Sequence, residues 1–279
     1  MGGEKLKLIP IALSILATNV TTIELLGTPA EIYSYGTQFS LQILAMILGN
    51  TLASFIVVSG VGVYAASTAL HGVSGLSNYI TIPVCIGIGT LYTTIGGVRA
   101  VIWTDVFQSV VIILSLLYVL TKGIINVGGL KKIWTINSEY KRIEFFNISF
   151  DPTERTTFWL IVFVMPILWF CTGALQLNIQ RFSMLKTIKE ARMSLLIPIP
   201  FYAFIHLAAS LCGFCAFAYY ASRGCDPLKS HQISNPNQIL PLFIMEIMSS
   251  SGIPGLFIAC LFSASLRCSV GYLNVNGFN

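Results

Sequence analysis

The sequence predicts an all-α polytopic membrane protein, and three observations carry that prediction. Of its 279 residues, 55% are hydrophobic and only 10% are charged. A soluble domain carries about 25% charged residues, so this chain cannot cover itself with a polar surface. Its apolar runs are long enough to cross a hydrocarbon core, which takes about 20 helical residues. Within those runs the apolar residues do not alternate with period two, which excludes a β-barrel. The net charge of +5 resides in loops. There it reads as a topology signal or as contact with anionic lipid, not as a nucleic-acid surface.

Taken in order, residues 1–279 read as a single transmembrane domain with spans at about 8–26, 39–70, 78–95, 100–120, 157–177, 195–221 and 253–273. The first is not a plain span. Ala17, Thr21, Glu24 and Thr28 fall at i, i+4, i+7 and i+11, on one helical face. Thr18, Asn19 and Thr22 add polar groups, and Gly27-Thr28-Pro29 is expected to break the helix. A polar, broken helix at membrane depth is tolerated only where it lines a cavity or is buried in protein. The second span, 39–70, is uncharged, and Gly49, Gly60 and Gly62 allow close helix contacts. The fourth opens on Gly96-Gly97-Val98-Arg99 and carries Asp105 at its mouth. The fifth contains Pro166, and the sixth has Pro198 and Pro200 near its start. Residues 241–250 read as a short amphipathic helix before the last apolar run.

Residues 122–156 and 223–240 are polar loops of mixed charge, whereas 181–192 is short and basic. Short basic loops prefer the cytoplasm. That places 181–192 and the Arg99 turn inside, and 122–156 and 223–240 outside. A conflict follows. If Lys5, Lys7 and Arg99 are all inside, an even number of crossings must separate them, yet three are counted. Either the first segment does not fully cross or a span is absent; the lack of a polar loop between segments one and two favours the second.

Seven cysteines are present, most of them inside apolar runs, where cysteine acts as a small hydrophobe. Cys212-Gly213-Phe214-Cys215 has redox-like spacing but lies within a span, so packing is its stronger reading. An odd count argues against a complete disulfide framework. There is no apparent cleavage site after the first apolar run. No metal-ligand cluster, catalytic triad or phosphate loop is apparent, so an enzyme is not expected, nor any organic cofactor.

The stretch Tyr92-Thr93-Thr94-Ile95-Gly96-Gly97-Val98-Arg99-Ala100-Val101-Ile102-Trp103-Thr104-Asp105-Val106-Phe107-Gln108 resembles the signature of the sodium:solute symporter family. Leu25-Leu26-Gly27-Thr28-Pro29-Ala30-Glu31-Ile32-Tyr33 is similar to the family's first core helix. Arg142–Asn147 with Asp151-Pro152-Thr153, and Gly224–Lys229, resemble outer loops of its monocarboxylate and multivitamin branch. Gln176, Gln180 and Arg181 match the end of a core helix, and Pro254–Ala259 the start of another. The resemblance implies an incomplete LeuT-like inverted-repeat transporter core: two five-helix repeats around a midplane site, each opening on a broken helix. It implies sodium-coupled symport across the plasma membrane. The solutes would be monocarboxylates such as lactate, pyruvate or nicotinate, or biotin, pantothenate or iodide.

Carried over by position, sodium would bind to backbone oxygens of Ala17, Val20 and Ala264, with two hydroxyls shortly past Ala264. Those two positions hold Arg267 and Cys268, a cation and a soft thiol, neither of which suits sodium. From Arg267 onward the resemblance stops. A second expectation is therefore that this product does not transport: a truncated isoform or gene-model fragment, at most an interaction partner of the full carrier. Asn19, Thr21, Glu24, Gln176 and Gln180 are candidate substrate-cavity residues. Against that, threonines and asparagine can bond the helix backbone, the two glutamines can pair between helices, and Glu24 can hold a structural partner. As an ion, Glu24 would repel a carboxylate solute. Asp105 is an ion-path candidate, or else a capping or salt-bridging carboxylate near Arg99. Arg99 itself reads as a topology anchor, and His206 as a packed or bonded histidine in preference to a proton relay. Asn147-Ile148-Ser149 is a glycosylation sequon on the expected outer side.

Overall fold

The computed structural model describes residues 8–20, 22–53, 78–151, 154–173, 178, 181, 185, 187–248, 255, 257 and 259. Among them every regular element is helical. Helices α1 (Leu8–Asn19) and α2 (Thr22–Tyr35) are consecutive and bent by 47°. The break is where the sequence reading did not put it. Pro29 lies inside α2, where it removes one backbone bond, and membrane helices tolerate that when neighbouring groups satisfy the freed carbonyl. The chain breaks instead between Asn19 and Thr22, in a run of asparagine, valine and threonines with low helix propensity. The face expected to join Ala17, Thr21, Glu24 and Thr28 is thereby divided: Ala17 belongs to α1, Glu24 and Thr28 to α2.

Gly36 has φ +94° and leads into a 3-10 turn, Thr37–Leu41, and then α3 (Gln42–Ala53). Helix α4 runs unbroken from Asn78 to Val127, where the sequence reading places two spans, 78–95 and 100–120. Gly96-Gly97 weakens a helix by about 1 kcal/mol per residue relative to alanine, but no proline follows to stop it, and Val98–Ile102 continue the helix. Within α4, Asp105–Val127 is long and apolar enough to cross a membrane alone. Trp103, Phe107, Val110 and Leu114 form an exposed stripe, while Ile102, Asp105, Ser109, Ile112, Leu116 and Val119 form the buried one. Apolar residues on both faces are what a helix between protein and lipid requires.

Gly128 and Gly129, at φ +101° and +105°, turn the chain after α4, and both amides bond back to the Ile124 carbonyl. Part of the stretch expected as loop, 122–156, is then helical: α4 extends to Val127 and α5 covers Leu130–Glu139. The signal for α5 is the buried pair Ile133 and Asn137, one turn apart, with Asn137 Nδ2 donating to the Phe214 carbonyl. The next helix opens with a π-turn, Leu160–Val164, and continues as α6 (Met165–Gly173). The wide turn places Pro166 at the start of the regular helix, where a missing N–H is least costly.

Helices α7 (Ile188–Leu196) and α8 (Ile199–Arg223) follow. Thr187 caps α7 by accepting from the Glu190 amide, so part of the basic 181–192 stretch is helical. Together they give Lys189–Arg223, a second stretch long and apolar enough to span, and the bent α1–α2 pair would be a third. Pro198 and Pro200 stand at the first turn of α8, and Gly224 closes it at φ +67°. An Asn235–Gln238 capping box then starts a 3-10 turn and α9 (Ile239–Ile247), two residues ahead of the expected Pro241 start. Of 253–273, only residues 255, 257 and 259 are described, all helical.

Helix α8 is the centre of the packing. It lies against α2, α3, α4 and α5, while α3 packs on α6, and α1 on α4 and α7. Two glycines set how close these helices come. A Cβ on Gly213 of α8 would lie 2.7 Å from the Pro29 carbonyl oxygen of α2. A Cβ on Gly49 of α3 would lie 2.4 Å from the Pro166 carbonyl oxygen of α6. This is the close approach expected of Gly49; Gly60 and Gly62 lie outside the described residues. Cys212 and Cys215 are buried free thiols, as packing predicts, and Cys171 and Cys225 are free as well.

Because the obstacles are backbone, we expect Gly213→Ala and Gly49→Ala each to cost about 1–3 kcal/mol, read as a drop in thermal unfolding midpoint in detergent. Gly123→Ala meets only side-chain atoms, at 3.2 Å and beyond, and should leave that midpoint nearly unchanged.

Candidate functional site

Three polar clusters follow one another along the broken α1–α2 pair. The first joins α1, α4 and residue 181. Asp105 is fully buried; its Oδ2 accepts from Ser14 Oγ at 2.7 Å and from Arg181 Nη2 at 2.9 Å. Arg181 also donates to Thr18 Oγ1, and Thr18 in turn donates to the Ser14 carbonyl at 2.9 Å. Ser109 Oγ donates to the Asp105 carbonyl. Ser14 and Thr18 are one turn apart, so a single face of α1 meets both charges. A cation that meets Asp105 is Arg181, 76 residues away; the side chain of Arg99, the cation considered from sequence, lies outside what the structure describes.

The second cluster surrounds the break. Asn19 Nδ2 donates to Tyr202 Oη at 2.8 Å, and Tyr202 donates onward to the Ile15 carbonyl at 3.1 Å. Asn178 Nδ2 donates to Asn19 Oδ1 at 3.3 Å. Ala17 and Val20, expected as backbone sodium ligands, are buried here. The Val20 amide bonds the Leu16 carbonyl, so the turn closes just before the break. The last carbonyls of a helix have no partner within it, and Ala17 is in that last turn.

The third cluster sits on the first two turns of α2. Glu24 Oε1 meets His206 Nδ1 and accepts from Thr28 Oγ1 at 3.1 Å. His206 is fully buried on α8, and its Nε2 faces the Phe39 carbonyl at 3.4 Å. Glu24 thus has a partner on another helix, and His206 is a bonded histidine, as its sequence context suggested.

Beyond these lies a layer that ties the 140–158 segment onto α2 and the following turn. The Thr37 amide and hydroxyl donate to the Arg142 carbonyl, and Thr37 Oγ1 reaches the Glu144 carbonyl at 2.6 Å. Gln38 bonds the Asn147 backbone in both directions. Arg142 donates to the Tyr33 carbonyl and stacks 4.0 Å from the centre of the Phe217 ring. Burial pushes its guanidinium below the ordinary value. Tyr33 Oη donates to Asp226 Oδ1 at 3.0 Å. Asn147 Nδ2 donates to Glu154, and the Ser149 amide donates to Asn147 Oδ1.

Of the residues singled out from sequence, Ala17, Asn19, Val20, Glu24 and Asp105 therefore line the broken helix or pack on it. Thr21, Gln176, Gln180, Arg267, Cys268 and Ala264 lie outside the described residues. Sequence reasoning did not single out Ser14, Asn178 or Tyr202. A spacing signal existed for each: Ser14 with Thr18 and Tyr202 with His206 at i, i+4, and Asn178 with Arg181 at i, i+3.

A broken helix whose polar groups are met from several others, among helices long and apolar enough to cross a membrane, is the arrangement found in secondary transporters. Comparison with known sequences makes this specific: the profile of the sodium:solute symporter family matches residues 41–274, and the chain belongs to that family. It is 33% identical to the sodium-coupled monocarboxylate transporter 2 of Bos taurus, over 98% of this chain and 51% of the relative. It is 30% identical to the sodium/iodide cotransporter of Homo sapiens, over 98% of this chain and 48% of the relative. It is 28% identical to a putative sodium-dependent multivitamin transporter of Drosophila melanogaster, over 95% and 50%. The chain thus spans about half the length of these relatives. The alignment to the human cotransporter runs over 313 positions, more than the 279 residues of this chain, so that relative carries segments this chain lacks. Among solved structures, a Na+-coupled sialic acid symporter in its substrate-bound outward-open state superposes with a TM-score of 0.79 at 21% identity, covering 98% of this chain and 66% of the other. The fold is that of a LeuT-like sodium symporter, and family members are membrane-embedded secondary transporters.

Removing one member of a buried ion pair strands the other. Asp105→Asn is expected to cost about 3–5 kcal/mol, measured by unfolding in detergent, whereas Asp105→Leu combined with Arg181→Met should recover most of that loss.

Proposed function

We propose that this chain forms the sodium-binding and solute-binding part of a sodium-coupled symporter for small organic anions or vitamins in the plasma membrane. Monocarboxylates, biotin and pantothenate are the proposed solutes, with iodide as an inorganic alternative. The observation that carries this reading is the break between α1 and α2, buried and met by side chains from α8 and from residues 178 and 181. Sodium wants hard oxygen ligands, and an unwound helix end supplies carbonyls. Ala17 and Val20 supply them here, with Ala264 as the third by family position. Asn19, Thr21, Glu24, Gln176 and Gln180 line the solute cavity. Asp105, held by Arg181 and Ser14, stands on the ion path. His206 of α8 gives Glu24 a hydrogen-bonding partner beside that cavity. Asn147, in the layer packed over α2, is a glycan acceptor on the outer face.

A second reading concerns the chain by itself: that it does not transport. Arg267 and Cys268 at the expected hydroxyl positions support it, as does the segment content of the longer relative. Two measurements separate the readings. The purified chain in nanodiscs should bind 22Na+ saturably, yet cells expressing it should show no uptake of lactate, nicotinate, biotin or iodide above that seen with choline in place of sodium. Sodium-dependent uptake of any of these overturns the second reading. Absence of both saturable sodium binding and uptake overturns the first.

A further inference from the structure

We propose that Glu24 and His206 form a proton-binding site in the transport core, holding one proton that moves with the transport cycle. The first half of this inference stands on geometry alone; the second rests on the symport reading above.

The proton count follows from the partners. The Phe39 carbonyl can only accept, so His206 Nε2, which faces it at 3.4 Å, carries a hydrogen. Thr28 Oγ1 donates to Glu24 Oε1, which makes that oxygen an acceptor. The same oxygen meets His206 Nδ1, and a lone pair facing a carboxylate oxygen would repel it. A hydrogen therefore lies between the two atoms, and because imidazole is the more basic of the two groups we place it on Nδ1. The arrangement is an imidazolium against a carboxylate, neutral as a unit, with one proton more than the separated neutral histidine and carboxylate. His206 is fully buried, and the Glu24 side chain is 12% exposed.

Among the described residues, nothing else charged on the surrounding elements is shown to meet the pair. Of α2, Glu31 pairs with Arg155, and Tyr33 bonds Asp226; Tyr35 lies over towards Arg155. Of α4, Asp105 pairs with Arg181, while Tyr118 and Lys122 are exposed and face each other. Of α8, Tyr202 bonds Asn19 and Ile15, Arg223 meets Glu246 of α9, and Cys212 and Cys215 are buried thiols. On α5, Lys131, Lys132 and Glu139 are exposed. The 3-10 turn Thr37–Leu41 and α3 carry no charged residue.

The position of the pair links the proton to motion. Glu24 is in the first turn of α2, directly after the break, and His206 is on α8, so the contact crosses the α2–α8 seam. Swinging α2 away from α8 separates the two groups. A carboxylate and an imidazolium separated in a dry interior are each costly, so opening the seam lets water in and releases the proton, while closing it takes one up. A carrier that works through this seam moves a proton with its sodium and solute.

The chain has three histidines, His71, His206 and His231, so 15N-histidine labelling of the full chain in nanodiscs gives few signals, and His206→Asn assigns the one needed. At pH 7 both ring nitrogens of His206 should show protonated shifts. In Glu24→Gln, Nδ1 should move to the unprotonated range while Nε2 stays protonated. A bare Nδ1 in the unaltered chain, or no change in Glu24→Gln, overturns the proton site. In weakly buffered nanodiscs carrying a pH dye, saturating the chain with sodium should change the number of protons it holds, and that change should fall at least tenfold in Glu24→Gln. Saturable sodium binding without any pH change overturns the coupled movement and leaves the symport reading standing. Absence of saturable sodium binding by the unaltered chain counts against the symport reading and against coupled movement, and the NMR result still decides the proton site.

Discussion

A polar group inside a membrane has no water to turn to, so it must meet another protein group. That constraint shapes helices α1 and α2 and, through them, the packing of the other described helices. Helix α1 presents Ser14, Thr18 and Asn19 to its neighbours, and α2 presents Glu24 and Thr28. Each of these side chains bonds a group on another helix or on its own backbone, except Thr28, which donates to Glu24 on its own helix. The partners come from α4, α8 and residues 178 and 181, which are far apart in sequence. The broken helix is therefore held at three successive levels: an ion pair beside α1, a hydrogen-bonded chain through Tyr202 at the break, and an acid–histidine pair at the start of α2.

Those contacts depend on short distances between helices, and short distances depend on small side chains. Gly213 lets α8 approach the Pro29 carbonyl, which places His206, two turns earlier on α8, within reach of Glu24. Gly49 does the same for α3 and α6. Near these approaches the aromatic rings of Tyr33, Phe217, Tyr219, Tyr220 and Phe243 meet edge to face. The polar and apolar parts of the core thus support each other: glycine contacts bring helices together, aromatic packing excludes water, and exclusion of water strengthens the buried pairs.

The three acids on or packed against the broken helix each meet a group from elsewhere in the chain. Asp105 meets Arg181, Glu31 meets Arg155, and Glu24 meets His206. Separating Asp105 or Glu24 from its partner in a dry interior is costly, so these contacts tie α1 and α2 to their neighbours. The layer around Thr37, Gln38, Arg142 and Tyr33 holds the other end of α2.

How much of this was legible in the sequence can be judged residue by residue. The membrane class and the helical architecture follow from composition and run length, which are local sums and need no partner information. That the first helix is broken was legible from its polar content, but the place of the break was not. Pro29 is the stronger local breaker, yet it lies inside α2, while the run from Asn19 to Thr22 separates the two helices. The continuous helix through Gly96-Gly97 was hidden for a related reason: glycine lowers helix propensity without forbidding a helix. Asp105 and Glu24 were recognisable as candidates because carboxylates in apolar runs are rare. Their partners were not, since Arg181 lies 76 residues from Asp105 and His206 lies 182 from Glu24, and no periodicity links residues at such separations. By itself, then, the sequence determined that this chain is a bundle of membrane helices with a polar broken segment of sodium-symporter type. Only the tertiary structure decided which charges neutralise each other, because that depends on how closely the helices approach and which faces they turn to one another.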